Sequence, residues 1–364
     1  MYIKIAQFLR NSKKGGRLSH LIDGSNHHQN NFDFIRFFAA NLVIISHSFP
    51  ISYGNNLNEP IFRVTDEITL GGIGVYIFFI VSGFLITRSC ERSDSIYNFF
   101  RNRALRIYPA LIVAVLITAF IMGPILSKLS LLEYFSRTET YRYLVSASIF
   151  KIYYGLPGVF INNPNRSVVN GSLWSLRYEV FCYIFVAALG FLKLLNKHVV
   201  LTCVTVATII AALIKYLWPN QTGLLYIFSH TCYFITFFGC GMLIYLFRDH
   251  IILNTKLFFI SLSLLVIVIV FSYYPVLLAI TGTYCIIFIA YQKIGTLANF
   301  SRSGDFSYGI YIYAFPIQQI YSFLLSDNRE WWINCILSIP TILIFAVFSW
   351  HLVEKKALSR KSKY

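Results

Sequence analysis

The chain has 364 residues, of which 57% are hydrophobic and only 13% charged, and its formal net charge is +16. A soluble domain carries about 25% charged residues, so this composition excludes an ordinary water-soluble core and points to a chain whose excess apolar surface is solvated by lipid. The basic residues lie in short segments between apolar runs, mostly in alternate ones. That is the positive-inside pattern of a membrane protein rather than the basic face of a nucleic-acid-binding one.

In chain order, residues 1–33 come first. They carry Lys4, Arg10, Lys13, Lys14 and Arg17 and no apolar stretch long enough for a signal-peptide core, so they read as a cytoplasmic tail. A crossing helix needs about 20 apolar residues, and residues 34–352 offer ten candidates that make one transmembrane domain. The first four are Phe34–Tyr53, Leu70–Thr87, Ile107–Leu126 and Ser172–Leu192. Val199–Leu217, Gly223–Phe247, Leu257–Phe271 and Tyr274–Tyr291 follow, and Tyr308–Leu325 and Trp331–Leu352 close the series. Residues 353–364 form a basic tail with Lys355, Lys356, Arg360, Lys361 and Lys363.

The expected fold class is therefore all-α, a polytopic integral membrane protein of about ten transmembrane helices. Arg88, Arg92, Arg101, Arg103, Arg106, Lys193, Lys197, Arg248, Lys256, Lys293 and Arg302 mark the inner segments, and an even number of spans places both termini in the cytoplasm. Residues 127–171 resist this scheme. Their apolar stretch Leu144–Phe160 is compatible with a re-entrant or interfacial helix, or with two further spans. Seven cysteines form no CxxC pair, so neither a disulfide framework nor a metal site is indicated.

Ionisable groups inside spans are costly and are candidates for function. Arg36 and His47 lie eleven residues apart in the first span. At about 100° per residue they share a face, separated by about 16 Å along the axis. Arg36 can bind an anion or snorkel, and His47 can serve as a base or bond a neighbouring helix. Glu179, in Asn170-Gly171-Ser172-Leu173-Trp174-Ser175-Leu176-Arg177-Tyr178-Glu179, lies at a depth matching His47 and can pair with it as an orienting carboxylate or serve packing. Arg103 and Arg106 are i, i+3 neighbours just before Ile107-Tyr108-Pro109. They suit phosphate binding, but also plain topology. Pro109 is expected in the first turn of the third span, where its missing N–H costs nothing. The small residues around Ser82 and Gly83 suit close helix packing.

These features, in this order, resemble the acyltransferase 3 family of membrane O-acyltransferases, over Phe34 to Leu358. Arg36 and His47 are similar to the family's first-helix Arg-then-His signature, and Gly74-Val75 through Ser82-Gly83-Phe84 to its second-helix motif. Arg103-Ala104-Leu105-Arg106-Ile107-Tyr108-Pro109 resembles its RxxRIxP segment, Ser172 to Glu179 its SLWSLxxE segment, and Ser307-Tyr308-Gly309-Ile310-Tyr311 its SYxIY motif. The chain departs from the pattern at Ala314-Phe315-Pro316, where relatives often carry a His, and at Glu354-Lys355-Lys356, where they close on Glu-Lys-Pro. A fused extracytoplasmic hydrolase-like domain, common in relatives, is absent from this sequence.

The resemblance implies a multi-pass protein of the bacterial cytoplasmic membrane. It implies transfer of an acyl group, usually acetyl, from cytoplasmic acyl-CoA to a hydroxyl of a surface carbohydrate such as O-antigen, capsule or exopolysaccharide. Acetyl-CoA would be a co-substrate, with no resident cofactor. His47 and Glu179 would be catalytic, and Arg36, Arg103 and Arg106 would hold the donor. Ser82, Gly83, Trp174, Tyr308 and Tyr311 would line or pack the site. The competing class is a transporter or flippase for a lipid-linked sugar; such proteins often show repeat symmetry between halves, and none is visible here.

Overall fold

The computed structural model describes residues 16–24, 30–271, 275–292, 300 and 304–361. Lys4, Arg10, Lys13, Lys14, Tyr274, Lys293, Arg302 and Lys363 lie outside the described residues.

Among the described residues, ten long helices carry the ten apolar segments. They are α1 (Phe32–Tyr53), α2 (Leu70–Glu91), α3 (Ile96–Ile117), α4 (Leu176–Phe191), α5 (Lys197–Leu217), α6 (Gly223–Leu246), α7 (Thr255–Phe271), α8 (Pro275–Ala290), α9 (Ser307–Leu324) and α10 (Trp331–Ser349). Among the described residues, seven helical runs are long and apolar enough to cross a membrane: α1, α2, α3 extended to Leu126, α4 with its preceding turn, α5, α6, and α10 extended to Leu358. The apolar α7 and α8 are shorter. The chain is thus an all-α membrane protein with almost no sheet.

Three expectations are corrected. The third helix starts at Ile96 rather than Ile107, because Ser95 caps it by accepting a hydrogen bond from the Asn98 N–H. Pro109 therefore sits inside the helix, not in its first turn. The tenth run does not end at Leu352; it continues through a wide turn at Trp350–Glu354 to Leu358, and Glu354 is buried. Within the N-terminal segment, Gly16–Arg17 pairs antiparallel with Ile252–Leu253, and the short helix Leu18–Gly24 buries Leu18 and Ile22. That part of the segment is folded.

The chain divides into two compact units. The first comprises residues 1–36, 76–92 and 180–303. At its centre α6 packs against the second half of α2. Tyr76 stacks on Phe237 at 4.1 Å and Phe79 on Phe234 at 4.3 Å. The approach is close because both helices present glycine. A Cβ at Gly83 would lie 1.9 Å from the Phe238 carbonyl oxygen, and one at Gly241 would lie 2.1 Å from that of Ile80. The small residues around Ser82 thus serve helix packing. Gly83→Ala is expected to destabilise the protein by about 1–3 kcal/mol, since backbone on the other side cannot rotate away. Thermal unfolding in detergent should show a lower Tm; an unchanged Tm would mean that this crossing tolerates separation.

The second unit comprises residues 37–75, 93–179 and 304–364. Its axis is α9, buried on nearly every side. Polar side chains tie it to its surroundings: Gln318 Nε2 donates to the Ile44 carbonyl at 2.9 Å, and Asn170 Nδ2 donates to that of Ile312 at 2.9 Å. Gln319 Nε2 donates to the carbonyls of Asn165 and Val168, and Asn163 Nδ2 donates to Gln319 Oε1.

These bonds explain residues 127–171. The segment contains neither a long re-entrant helix nor two spans. It holds the short helices Leu131–Ser136 and Thr138–Arg142, one 3-10 stretch at Tyr143–Ser148, and irregular chain clamped to α9. Tyr134 anchors its start by donating to the Ala119 carbonyl at 2.8 Å. Burial pushes that phenol up to about 12, so it remains a neutral donor.

Candidate active site

The second unit brings together α1, α9 and the 3-10 turn Ser172–Ser175 that leads into α4. His47 projects from α1 and is partly buried; its ring meets the edge of Phe315 on α9 with centroids 5.2 Å apart. The same Phe315 ring occupies the space above Gly171, where a Cβ would come within 2.6 Å of it. Gly171 is thus required for the turn to approach α9, and Phe315 wedges between that turn and the imidazole. His47 Nδ1 is buried and has no hydrogen-bond partner among the described residues. A buried imidazole nitrogen with nothing to bond is costly to leave so, and it suits a group that exchanges a proton with a substrate.

The turn itself is locked from α9. Tyr311 donates its hydroxyl proton to the Ser172 carbonyl at 2.6 Å, and the Ser175 hydroxyl lies 2.7 Å from the Tyr311 oxygen. Asn170 Oδ1 accepts from the Ser172 N–H at 3.1 Å, which fixes the turn from its other end. Glu179 follows Ser175 by one helical turn, on the same face. It is partly exposed and lies within the electrostatic reach of Tyr311. Trp174 packs edge to face on Tyr178 at 5.9 Å.

Three further polar atoms near this junction are buried without a partner among the described residues: Ser172 Oγ, Gln318 Oε1 and Asn334 Oδ1. The Gln318 and Asn334 amides are not interchangeable by a flip. Each Nδ2 or Nε2 already donates to a carbonyl, Gln318 to Ile44 and Asn334 to Gln318 itself at 2.8 Å. The oxygens are therefore true acceptors, and what they can receive is an O–H or N–H.

The arginines are disposed differently. Arg106 is enclosed: it bonds Asp305, lies 3.7 Å from Glu354, and sits over the Tyr308 ring at 5.8 Å. Asp305 in turn accepts from the Ser307 N–H that opens α9, and Tyr308 donates to the Ile107 carbonyl at 2.9 Å. Arg106 thereby fixes the start of α9 to α3. Arg103, one turn earlier, is partly buried with an unbonded Nε. Arg36 belongs to the first unit, where it pairs with Asp33 at 3.1 Å. Ser82 and Gly83 also belong to that unit.

Gln318 and Asn334 were not singled out in the sequence, and Phe315 was noted only within the Ala314-Phe315-Pro316 departure, with no role assigned. Gln318 carried the one signal that was available, an amide pair with Gln319 in the middle of an otherwise apolar helix.

Comparison with known proteins gives a consistent result. Residues 29–350 match the acyltransferase 3 family model, described as an acyltransferase domain. The chain is 32% identical to the "O-acetyl transferase" of Shigella phage Sf6 over 355 residues, covering 92% of this chain and 98% of the relative. It is 36% identical to "Nodulation protein 10" of Rhizobium leguminosarum bv. viciae over 164 residues, 44% of either chain. No solved structure matches.

Proposed function

Because the chain belongs to the acyltransferase 3 family, we propose that it transfers an acetyl group from acyl-CoA to a hydroxyl of a cell-surface or lipid-linked carbohydrate, with His47 as the general base. The observation that carries this reading is the unbonded, buried Nδ1 of His47 at the junction of α1, α9 and the 172–175 turn. His47 takes the proton of the acceptor hydroxyl as its oxygen attacks the thioester carbonyl. The tetrahedral intermediate collapses to the ester, and the coenzyme A sulfur leaves with the proton that the imidazolium returns. The free acceptor oxygens of Gln318 and Asn334 suit a substrate rich in hydroxyl groups. The phage relative, similar along its whole length, supports acetyl as the group moved.

The test is a transfer assay with purified full-length protein in detergent, using acetyl-labelled acetyl-CoA and lipid-linked or free glycans, read by mass spectrometry. Acetylated glycan is the expected product. Movement of a lipid-linked sugar across proteoliposomes with no acyl transfer would establish the transporter reading instead.

Two expectations accompany the proposal. Glu179→Gln keeps the shape of the 172–179 segment and removes a charge; turnover should fall by about tenfold or more with the acyl-CoA KM unchanged. Normal turnover would reduce Glu179 to packing. The alternation of basic segments supports both termini on the cytoplasmic side of a bacterial inner membrane. A cysteine introduced at Lys363 should resist an impermeant thiol reagent in intact cells, and labelling there would invert the topology.

A further inference from the structure

The first unit holds a buried arginine that the chemistry above does not use. Arg88, in the last turn of α2, is only 9% exposed, and its Nε has no hydrogen-bond partner among the described residues. All 15 acidic side chains of the chain lie among the described residues, and Arg88 forms no ion pair with any of them. The nearest in sequence, Glu91, is taken: Tyr245 donates to it at 2.7 Å and Arg248 lies 3.5 Å from it. A guanidinium stays charged at any accessible pH. Its position at a helix C-terminus offsets only a fraction of the cost of burial.

Two more such groups lie in the same unit, and the first, Tyr291, is within the electrostatic reach of Arg88. Among the described residues the hydroxyl of Tyr291, 7% exposed, and Oδ1 of Asn31, 1% exposed, have no hydrogen-bond partner. Rings hold the three together. Tyr291 packs edge-on against Phe84, one helical turn before Arg88, at 6.1 Å, and against Phe32, next to Asn31, at 5.8 Å. The Asn31 amide cannot be flipped, because its Nδ2 donates to the carbonyls of Ile289 and Gln292, on either side of Tyr291. Arg92 follows Arg88 by one turn and adds positive charge.

We propose that Arg88, Tyr291 and Asn31 form a phosphate-binding site. The Arg88 guanidinium and the Tyr291 hydroxyl donate to the oxyanion, while Asn31 Oδ1 accepts from a hydroxyl or amino group attached to the same ligand. Two molecules present that chemistry: the nucleotide phosphates of the acyl-CoA donor, an assignment that rests on the reading above, and an anionic phospholipid head group.

The experiment uses the full-length protein in phosphatidylcholine nanodiscs, titrated calorimetrically with coenzyme A, with phosphate-free pantetheine and with inorganic pyrophosphate. Arg88→Gln should weaken coenzyme A and pyrophosphate by about tenfold or more and leave pantetheine unchanged. Tyr291→Phe should weaken the same two by about fivefold. Arg88→Gln should also raise the Tm of the ligand-free protein, because it removes a buried uncompensated charge, while abolishing the Tm increase that coenzyme A produces. A merely structural arginine would do the reverse. If coenzyme A binding is indifferent to both variants but native mass spectrometry finds phosphatidylglycerol retained by the wild type and lost from Arg88→Gln, the phosphate is a lipid's. If Arg88→Gln and Tyr291→Phe match the wild type in coenzyme A, pyrophosphate and phosphatidylglycerol binding, the site does not exist. Coenzyme A binding that depends on Arg88, in a protein that transfers no acyl group, would overturn the acetyltransferase reading and leave the phosphate site standing.

Discussion

His47→Ala is expected to abolish detectable acyl transfer. General base catalysis by a positioned histidine contributes roughly 10²–10⁴-fold, and among the described residues no second imidazole is seen at this junction: the position on α9 that faces His47 is Phe315. The substitution also removes the ring on which Phe315 rests, so a loss of activity needs a control for folding. His47→Gln supplies it, retaining bulk and a hydrogen-bonding tip without a group that titrates near neutrality. Both variants should insert and purify as the wild type does, and both should be inactive. Full turnover in His47→Gln would place the base elsewhere. Unchanged kinetics for coenzyme A in the inactive variants would further locate the defect at the chemical step rather than in donor binding.

The second large effect is on stability. Arg106→Gln should destabilise the protein by about 3–5 kcal/mol, because it removes the guanidinium that two carboxylates, one of them deeply buried, share. Glu354 is only 2% exposed and its remaining partner is Ser349, which donates at 2.8 Å. Asp305 would lose that guanidinium as well, while still holding the start of α9 through the Ser307 N–H. Thermal unfolding in detergent should therefore show a large drop in Tm for Arg106→Gln and a small one for Arg103→Gln, whose guanidinium makes no ion pair among the described residues. The double variant Arg106→Gln, Glu354→Gln should recover part of the loss, since the neutralised pair can still bond. A Tm for Arg106→Gln equal to that of the wild type would show that the cluster contributes orientation without stability. Any loss of donor affinity in Arg106→Gln then has to be separated from this structural role, which makes Arg103→Gln the cleaner probe of a donor contact.

Hydrophobic run length was sufficient to locate the ten long helices among the described residues, because burial in lipid demands an unbroken apolar segment and, apart from residues 127–171, the gaps between such segments are short. His47 and Glu179 stood out as candidates for the same reason: an ionisable residue in an apolar run is conspicuous by its cost. Helix ends were less legible. The start of α3 depended on one cap at Ser95, and the end of the tenth run on a carboxylate at Glu354 that reads as tail until its partner on α3 is known. Residues 127–171 could not be read at all from periodicity, since their conformation is dictated by side chains of α9, more than a hundred residues away in sequence, that satisfy their backbone. The tertiary structure alone decided which arginine is neutralised and which is not. Arg88, Arg103 and Arg106 look alike as bases near the ends of apolar runs, and only the placement of Asp305, Glu354 and Glu91 distinguishes the paired from the unpaired. The same holds for Phe315 and Gln318, ordinary residues of an apolar helix until packing sets one against His47 and leaves the other with an acceptor oxygen that no group of the chain fills.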